Sequence, residues 1–241
     1  MSAAGEVVGL VPAAGYARRL QPLSCSKEVL TIGGRPLMSF LLARMRIAGC
    51  SRIRVTTRPD KTDVVELARR EGIEVVLARP ESVSDSLLAG LVDLPDDAVA
   101  LVGFPDTIWE PADGFVRLVE EVRAGEELVL GLFEVEEPER CDVVEMTPAG
   151  RVRRITVKPE RPATNVTWGI LAGRVASLRA LSGWDEPGAY FDALARRGTL
   201  RGVRLAGPYD DAGTPAGLTR LGADRVYDEG RETGSGMNTS G

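Results

Sequence analysis

The chain has 241 residues, 44% of them hydrophobic and 27% charged, with a formal net charge of −5. These are the proportions of an ordinary soluble globule, long enough for one large domain or two small ones. No apolar run approaches the roughly 20 residues that span a bilayer, which excludes a helical membrane protein; the acidic balance argues against a broad nucleic-acid face, and the absence of histidine removes Ser-His-Asp and Cys-His chemistry and most zinc sites.

In chain order, the apolar run Val7 to Val11 ends at Pro12 and Gly15, as a buried strand entering a turn does. Leu37 to Ala48 is apolar on most faces and stops at Gly49, which predicts a buried helix. A strand over Ile53 to Thr57, a helix over Thr62 to Arg70, a strand over Ile73 to Leu77, a helix over Ser84 to Leu94 and a strand over Ala98 to Val102 follow. This alternation predicts a mostly parallel sheet with helices on both faces. After Asp113 the rhythm changes to strands at Leu128 to Val135, Asp142 to Met146, Val152 to Val157 and, briefly, Trp168 to Leu171. Helices over Arg174 to Leu181 and Ala189 to Arg197 and a strand over Thr199 to Leu205 complete a more antiparallel half, expected to pack with the first as one unit. From about Asp228 the Gly-, Ser- and Thr-rich tail reads as disordered.

Three cysteines, Cys25, Cys50 and Cys141, are widely spaced and form no CxxC pair. They read as reduced residues of a cytoplasmic protein, and Met1 to Gly5 carries no export signal. Of thirty lysines and arginines, only Lys27, Lys61 and Lys158 are lysines. In so arginine-biased a chain these mark places where a compact, strongly hydrated charge suits better than a planar fork.

The small-residue turn Pro12-Ala13-Ala14-Gly15 follows the first strand, where ligand loops of α/β proteins lie. It matches neither the P-loop nor the dinucleotide fingerprint. Arg18, Arg19 and Lys27 come next, a cation set suited to a triphosphate or, alone, a solvated basic loop. Asp106, at the end of the fourth strand, is a candidate Mg²⁺ ligand or a local turn cap. Tyr209-Asp210-Asp211-Ala212-Gly213-Thr214-Pro215 offers a second carboxylate, and Lys158 ends a hairpin strand.

Each feature alone has an ordinary structural reading; their order does not. Pro12 to Leu37, PAAGYARRLQPLSCSKEVLTIGGRPL, resembles the sugar-1-phosphate nucleotidylyltransferases, among them the glucose-1-phosphate thymidylyltransferases and uridylyltransferases. GFPD at Gly103–Asp106, VKP at Val157–Pro159, WGI at Trp168–Ile170 and DAGTP at Asp211–Pro215 follow in that family's order, and the likeness extends from Val7 to about Leu218. The resemblance implies a Rossmann-like three-layer α/β sandwich whose central sheet is mixed and mostly parallel, with a small antiparallel sugar-site region. It implies one domain over 1–227, with a nucleotide-binding half (7–111) and a sugar-phosphate-binding half (112–227). Pro12, Ala13, Ala14 and Gly15 would contact the nucleotide, with Ser84 near its base. Arg19 and Lys27 would hold the triphosphate and form, with Asp106, the catalytic set. Asp106 and Asp211 would hold Mg²⁺, while Lys158, with Asp142, Trp168 and Gly169, would bind the acceptor.

The implied reaction joins an NTP to a sugar 1-phosphate or similar metabolite and releases pyrophosphate, with neither nucleic acid nor membrane as partner. Two alternatives stay open: a non-catalytic module that binds nucleotide sugars, and a cytidylyltransferase acting on a non-sugar phosphate. The second arises because the PAAG loop followed by Gly15-x-x-Arg18-Arg19 also resembles the methylerythritol-phosphate cytidylyltransferases. Departures from the sugar pattern are Ala17-Arg18 for Gly-Thr, Ser26 for the Pro before the lysine, Ser84-Asp85-Ser86 for Gly-Thr-Ala, Asp142 for Gly and Val157 for Glu. The last two fall where sugar hydroxyls would be bound, which points to an acceptor other than glucose 1-phosphate.

Overall fold

The protein is described by a computed structural model covering residues 5–222; the tail expected to be disordered lies outside the described residues. The first half runs β1 (Val7–Pro12), a short hairpin of β2 (Thr31–Ile32) and β3 (Arg35–Pro36), α1 (Leu37–Ile47), β4 (Arg52–Thr57), α2 (Thr62–Arg70), β5 (Glu74–Leu77), α3 (Val83–Gly90) and β6 (Val99–Gly103). The second half runs β7 (Thr107–Trp109), α4 (Gly114–Arg123), β8 (Leu128–Glu134), β9 (Val143–Met146), β10 (Val152–Thr156), β11 (Val166–Arg174), α5 (Val175–Arg179), α6 (Pro187–Arg196), β12 (Arg201–Arg204), β13 (Tyr209–Asp211) and α7 (Pro215–Arg220).

One mixed sheet passes through both halves in the order β10-β9-β11-β6-β1-β4-β5, with β8 and then β12 branching from β11. Strands β6, β1, β4 and β5 are all parallel. Side chains alternate along β1: Val7 and Val11 enter a core with α1, α2 and α4, whereas Val8 and Leu10 enter a second core with α3, α5 and α6. Two apolar faces on one sheet require a helical layer on each side. This is the expected three-layer architecture. Among the described residues no helix is long and apolar enough to cross a membrane.

The segment after Asp113 departs from expectation. Gly114–Arg123 is helical and buries Phe115, Leu118, Val119 and Val122, an i, i+3, i+4, i+7 stripe overlooked beside the strands that follow. The helix begun near Ser84 stops at Gly90 rather than Leu94, and Asp93 takes a positive φ of 61° in the turn beyond. The strand expected only over Trp168 to Leu171 spans Val166–Arg174, is buried along nearly its whole length and pairs with β6, β8 and β9. Uninterrupted burial on both faces erased the alternation that marks a strand.

The long strand opens the site. β11 pairs with β6 from Ile170, opposite Gly103, to Arg174, but with β9 at Thr167, opposite Val143. Between these partners its register on β8 slips between Trp168 and Ile170, a β-bulge at Gly169. Past Gly103 the chain leaves the sheet as Phe104-Pro105-Asp106, so a crevice forms at the carboxyl ends of β1 and β6 where strand neighbours change. Open α/β sheets bind ligands at such a place.

Candidate active site

The crevice is a cavity of about 930 Å³ whose lining includes Pro12, Ala14 to Arg19, Lys27, Ser82, Ser86, Phe104 and Asp106. A smaller one of about 300 Å³, lined by Arg140, Cys141, Tyr209 and Asp211 among others, adjoins it. Arg19 lines both hollows.

The turn after β1 is braced from behind. Ala13 N–H donates to the Thr56 carbonyl at 2.8 Å, and Arg58 Nε donates to the Ala14 carbonyl at 3.0 Å. Lys61, only 6% exposed, donates to the carbonyls of Ala13 (2.7 Å) and Gly15 (3.0 Å) and to Glu28 Oε2 (2.8 Å). Lys27 is carried on the next turn, which α2 anchors: Ser26 N–H and Oγ–H donate to the two Asp63 oxygens at 2.6 and 2.8 Å. A proline before Lys27 has no N–H to give, so Ser26 supplies an anchor that the family's usual residue lacks.

Lys27 pairs with the Asp106 carboxylate. Burial alone would lower the Lys27 pKa; Asp106, helped by Glu28 and Asp211, outweighs it and holds the ammonium above its ordinary range. β13 pairs antiparallel with β7, placing Asp211 opposite Thr107, and Ala212 N–H donates to the Asp106 carbonyl at 2.8 Å. The ladder therefore fixes Asp106 and Asp211 side by side. Burial and then repulsion from Asp106 push Asp211 up, partly offset by Gly213 N–H, Lys27 and Arg19. Arg19, Lys27, Asp106 and Asp211 thus act on one another across four separate chain segments.

The two carboxylates suit a hard divalent ion. Among the described residues no cluster of three or more His, Cys, Asp or Glu could hold a metal. Two carboxylates completed by phosphate oxygens and water are the usual Mg²⁺ donor set, unlike an all-protein cage.

The other expected residues fall into two groups. Pro12, Ala14 and Gly15 line the cavity, but Ala13 is buried below it. Ser84 is 1% exposed and its hydroxyl has no partner within the protein; Ser82, Asp85 and Ser86 line the cavity in its place. Asp85 serves α3 directly, closing a capping box with Ser82.

Among the residues expected to bind the acceptor, Lys158 Nζ lies 3.5 Å from Glu186 Oε1, and Glu186 lines the cavity. Trp168 lies behind the wall, its ring 5.6 Å from that of Phe104, and its Nε1–H donates to Asp142 Oδ2 at 3.3 Å. Burial pushes the Asp142 carboxyl up while Trp168 and Lys158 pull it down. Gly188 at the start of α6 backs onto this carboxylate, since a Cβ there would stand 2.3 Å from Asp142 Oδ2. Asp142 therefore occupies space that a larger residue at 188 would take.

Gly169 contacts aromatic rings rather than the cavity: a Cβ would meet Tyr209 at 2.3 Å, and Tyr209 stacks on Phe133 with centroids 4.7 Å apart. Gly169→Ala must displace the strand that carries Asp211. It is expected to cost about 1–3 kcal/mol, read as a fall in urea midpoint together with reduced turnover.

Lys61, Glu28, Arg58, Asp63, Glu186 and Tyr209 are the site-building residues that sequence reasoning did not assign. Only Lys61 carried a signal, as one of three lysines.

Residues 9–183 match the MobA-like NTP transferase domain. A 2-C-methyl-D-erythritol 4-phosphate cytidylyltransferase of Nocardia farcinica is 31% identical over 196 residues, 80% of this chain and 81% of that protein. A glucose-1-phosphate thymidylyltransferase of Neisseria meningitidis is 25% identical over 172 residues, 67% of this chain but only 58% of that protein. Among solved structures, a putative glucose-1-phosphate thymidylyltransferase from Bacillus anthracis superposes with a TM-score of 0.80 at 21% identity, over 89% of this chain and 93% of that one. A UDP-glucose pyrophosphorylase complexed with UDP-glucose superposes at 0.76 with 18% identity, over 90% and 97%. The chain belongs to the MobA-like NTP transferase family and is a nucleotidyltransferase.

Proposed function

We propose that the protein transfers a nucleotidyl group from an NTP to the phosphate of a small metabolite of the sugar 1-phosphate class, releasing pyrophosphate. The observation that carries this is the meeting of Arg19, Lys27, Asp106 and Asp211 at one sheet edge beside a small-residue loop. An oxygen of the acceptor phosphate attacks the α-phosphorus of the NTP in line; the α–β bridging bond breaks and its electron pair leaves with pyrophosphate. The attacking oxygen is already an anion, so no side chain need remove a proton, which suits a chain with no histidine. The residues act by positioning two polyanions that repel each other and by countering charge on the leaving group. Arg19 and Lys27 hold the triphosphate, and Lys158 meets the acceptor phosphate. Asp106 and Asp211 would hold Mg²⁺, which when bound neutralises phosphate charge.

A cytidylyltransferase reading, with CTP and a non-sugar phosphate, is favoured by the Nocardia relative, which this chain matches over 81% of its length. A pyrophosphate-release assay with Mg²⁺, each common NTP and panels of sugar 1-phosphates and non-sugar phosphomonoesters separates the two. At least one pair is expected to release pyrophosphate, and the productive acceptor panel decides between the readings. Silence from every pair by a protein that binds nucleotide would refute both. In the productive pair, Lys158→Ala is expected to raise the acceptor KM roughly tenfold to a hundredfold, the worth of one hydrogen bond to a charged group, with little change in the NTP KM. Equal loss on both substrates would count against that role.

A further inference from the structure

The second core lysine of the site has no part in the chemistry above, yet it is buried with all three ammonium protons engaged. Lys61 Nζ donates to Ala13 O, Gly15 O and Glu28 Oε2. Thr57 Oγ1 also donates to Ala13 O at 3.2 Å, and Arg58 Nε takes the carbonyl between, that of Ala14. Three successive carbonyls are thus drawn toward the carboxyl end of β4 and the start of α2. In a planar trans peptide the N–H points opposite to its carbonyl. The N–H groups of Ala14 and Tyr16 therefore face away from Lys61 and that of Gly15 away from Arg58, and these three residues line the large cavity. Among the described residues none of the three N–H groups has an acceptor. Glu28, the residue after Lys27, is 1% exposed and touches the same ammonium, so one cation ties the loop to the turn that presents Lys27.

We propose that Lys61 is a positioning residue for the phosphate chain: by holding the Ala13 and Gly15 carbonyls inward, it turns the Ala14 and Tyr16 N–H groups outward on either side of the Gly15 N–H that Arg58 orients, completing an anion-binding nest in register with Lys27. The assignment rests on reading the cavity as an NTP site. An alternative role, mere neutralisation of Glu28, predicts different behaviour when both partners are removed. Lys61→Met alone leaves a buried carboxylate unpaired and is expected to be unstable. Glu28→Leu combined with Lys61→Met removes that penalty and keeps the apolar volume.

The probe is inorganic tripolyphosphate with Mg²⁺, which has the phosphate chain without base or ribose. Calorimetric titration is expected to show at least tenfold weaker binding to the double variant than to the wild type, although the two melt within a few degrees of each other. In ¹⁵N-labelled wild type the Ala14, Gly15 and Tyr16 amide signals are expected to shift on addition of tripolyphosphate. In the double variant they should not. Wild-type affinity in the double variant would reduce Lys61 to a counter-ion for Glu28 and overturn the proposal. Binding to wild type without shifts at these amides would also overturn it, leaving the NTP reading intact. No binding to wild type at all would overturn both. Should the double variant fail to fold, Lys61→Arg, which keeps a cation beside Glu28 but not the compact three-donor geometry, takes its place: at least tenfold weaker tripolyphosphate binding is expected, and wild-type affinity would overturn the proposal.

Discussion

Asp106→Asn is expected to lower kcat by a factor on the order of 10²–10³, the usual consequence of deleting one preorganised charge beside a reacting phosphate, with little loss of fold. Two effects combine. The substitution removes a carboxylate from the pair proposed to hold Mg²⁺. It also removes the ion-pair partner of Lys27, the largest of the contributions that offset the burial of its ammonium. Steady-state kinetics with the productive substrate pair, together with a melting curve, check this. Wild-type turnover by Asp106→Asn would end the proposed role of Asp106.

Asp211→Asn is expected to move activity and stability in opposite directions. Turnover should fall on the order of a hundredfold, while the free protein melts higher by about 2 °C, the yield of roughly half to one kcal/mol at this size. Asp211 is destabilised by burial and by the neighbouring Asp106 carboxylate, which together hold its pKa above the ordinary 3.8. A carboxyl with a raised folded pKa binds its proton more tightly in the native state, so stability is lost as pH climbs from the ordinary value through the folded one. The gap between variant and wild type should therefore open as pH rises through this range and close in acid below it. Asparagine can keep the bond from Gly213 N–H to Asp211 Oδ1, 2.6 Å long, so the turn itself is not at stake. A lower melting temperature at neutral pH would show that the two carboxylates do not burden each other.

Much of this was legible in the sequence where local chemistry is strong. The βα rhythm of the first half is written in β-branched runs closed by glycines, and it held through Gly103. The loop and Asp106 could be nominated because each follows a strand end, Lys27 because it completes a cation cluster after that loop, and Asp211 because it precedes a Gly-Thr-Pro turn. Trp168 and Gly169 were nominated from the same motif, but buried positions look alike in sequence whether they face a ligand or a neighbour. Only the packing shows that Trp168 backs Phe104 and that Gly169 makes room for Tyr209. Lys61 stood out as one of three lysines, but its role was hidden for a different reason. Its partners are main-chain carbonyls of a distant loop, and main-chain direction leaves no trace in residue identity.

The Ser26–Asp63 anchor and the Asp142–Gly188 contact show the converse. Each looked like a departure from a family pattern and proves to be matched by a compensating neighbour. Substitution at a site is best judged with its packing partner in view.

The central claim is that the cavity brings an acceptor phosphate to the α-phosphorus of an NTP. ³¹P NMR of a completed reaction tests it directly. The account predicts the appearance of a new unsymmetrical diphosphate that joins the α-phosphorus to the acceptor phosphorus, with one equivalent of free pyrophosphate. Release of inorganic phosphate with an NDP, and no new diphosphate linkage, would place the attack at the γ-phosphorus and contradict it.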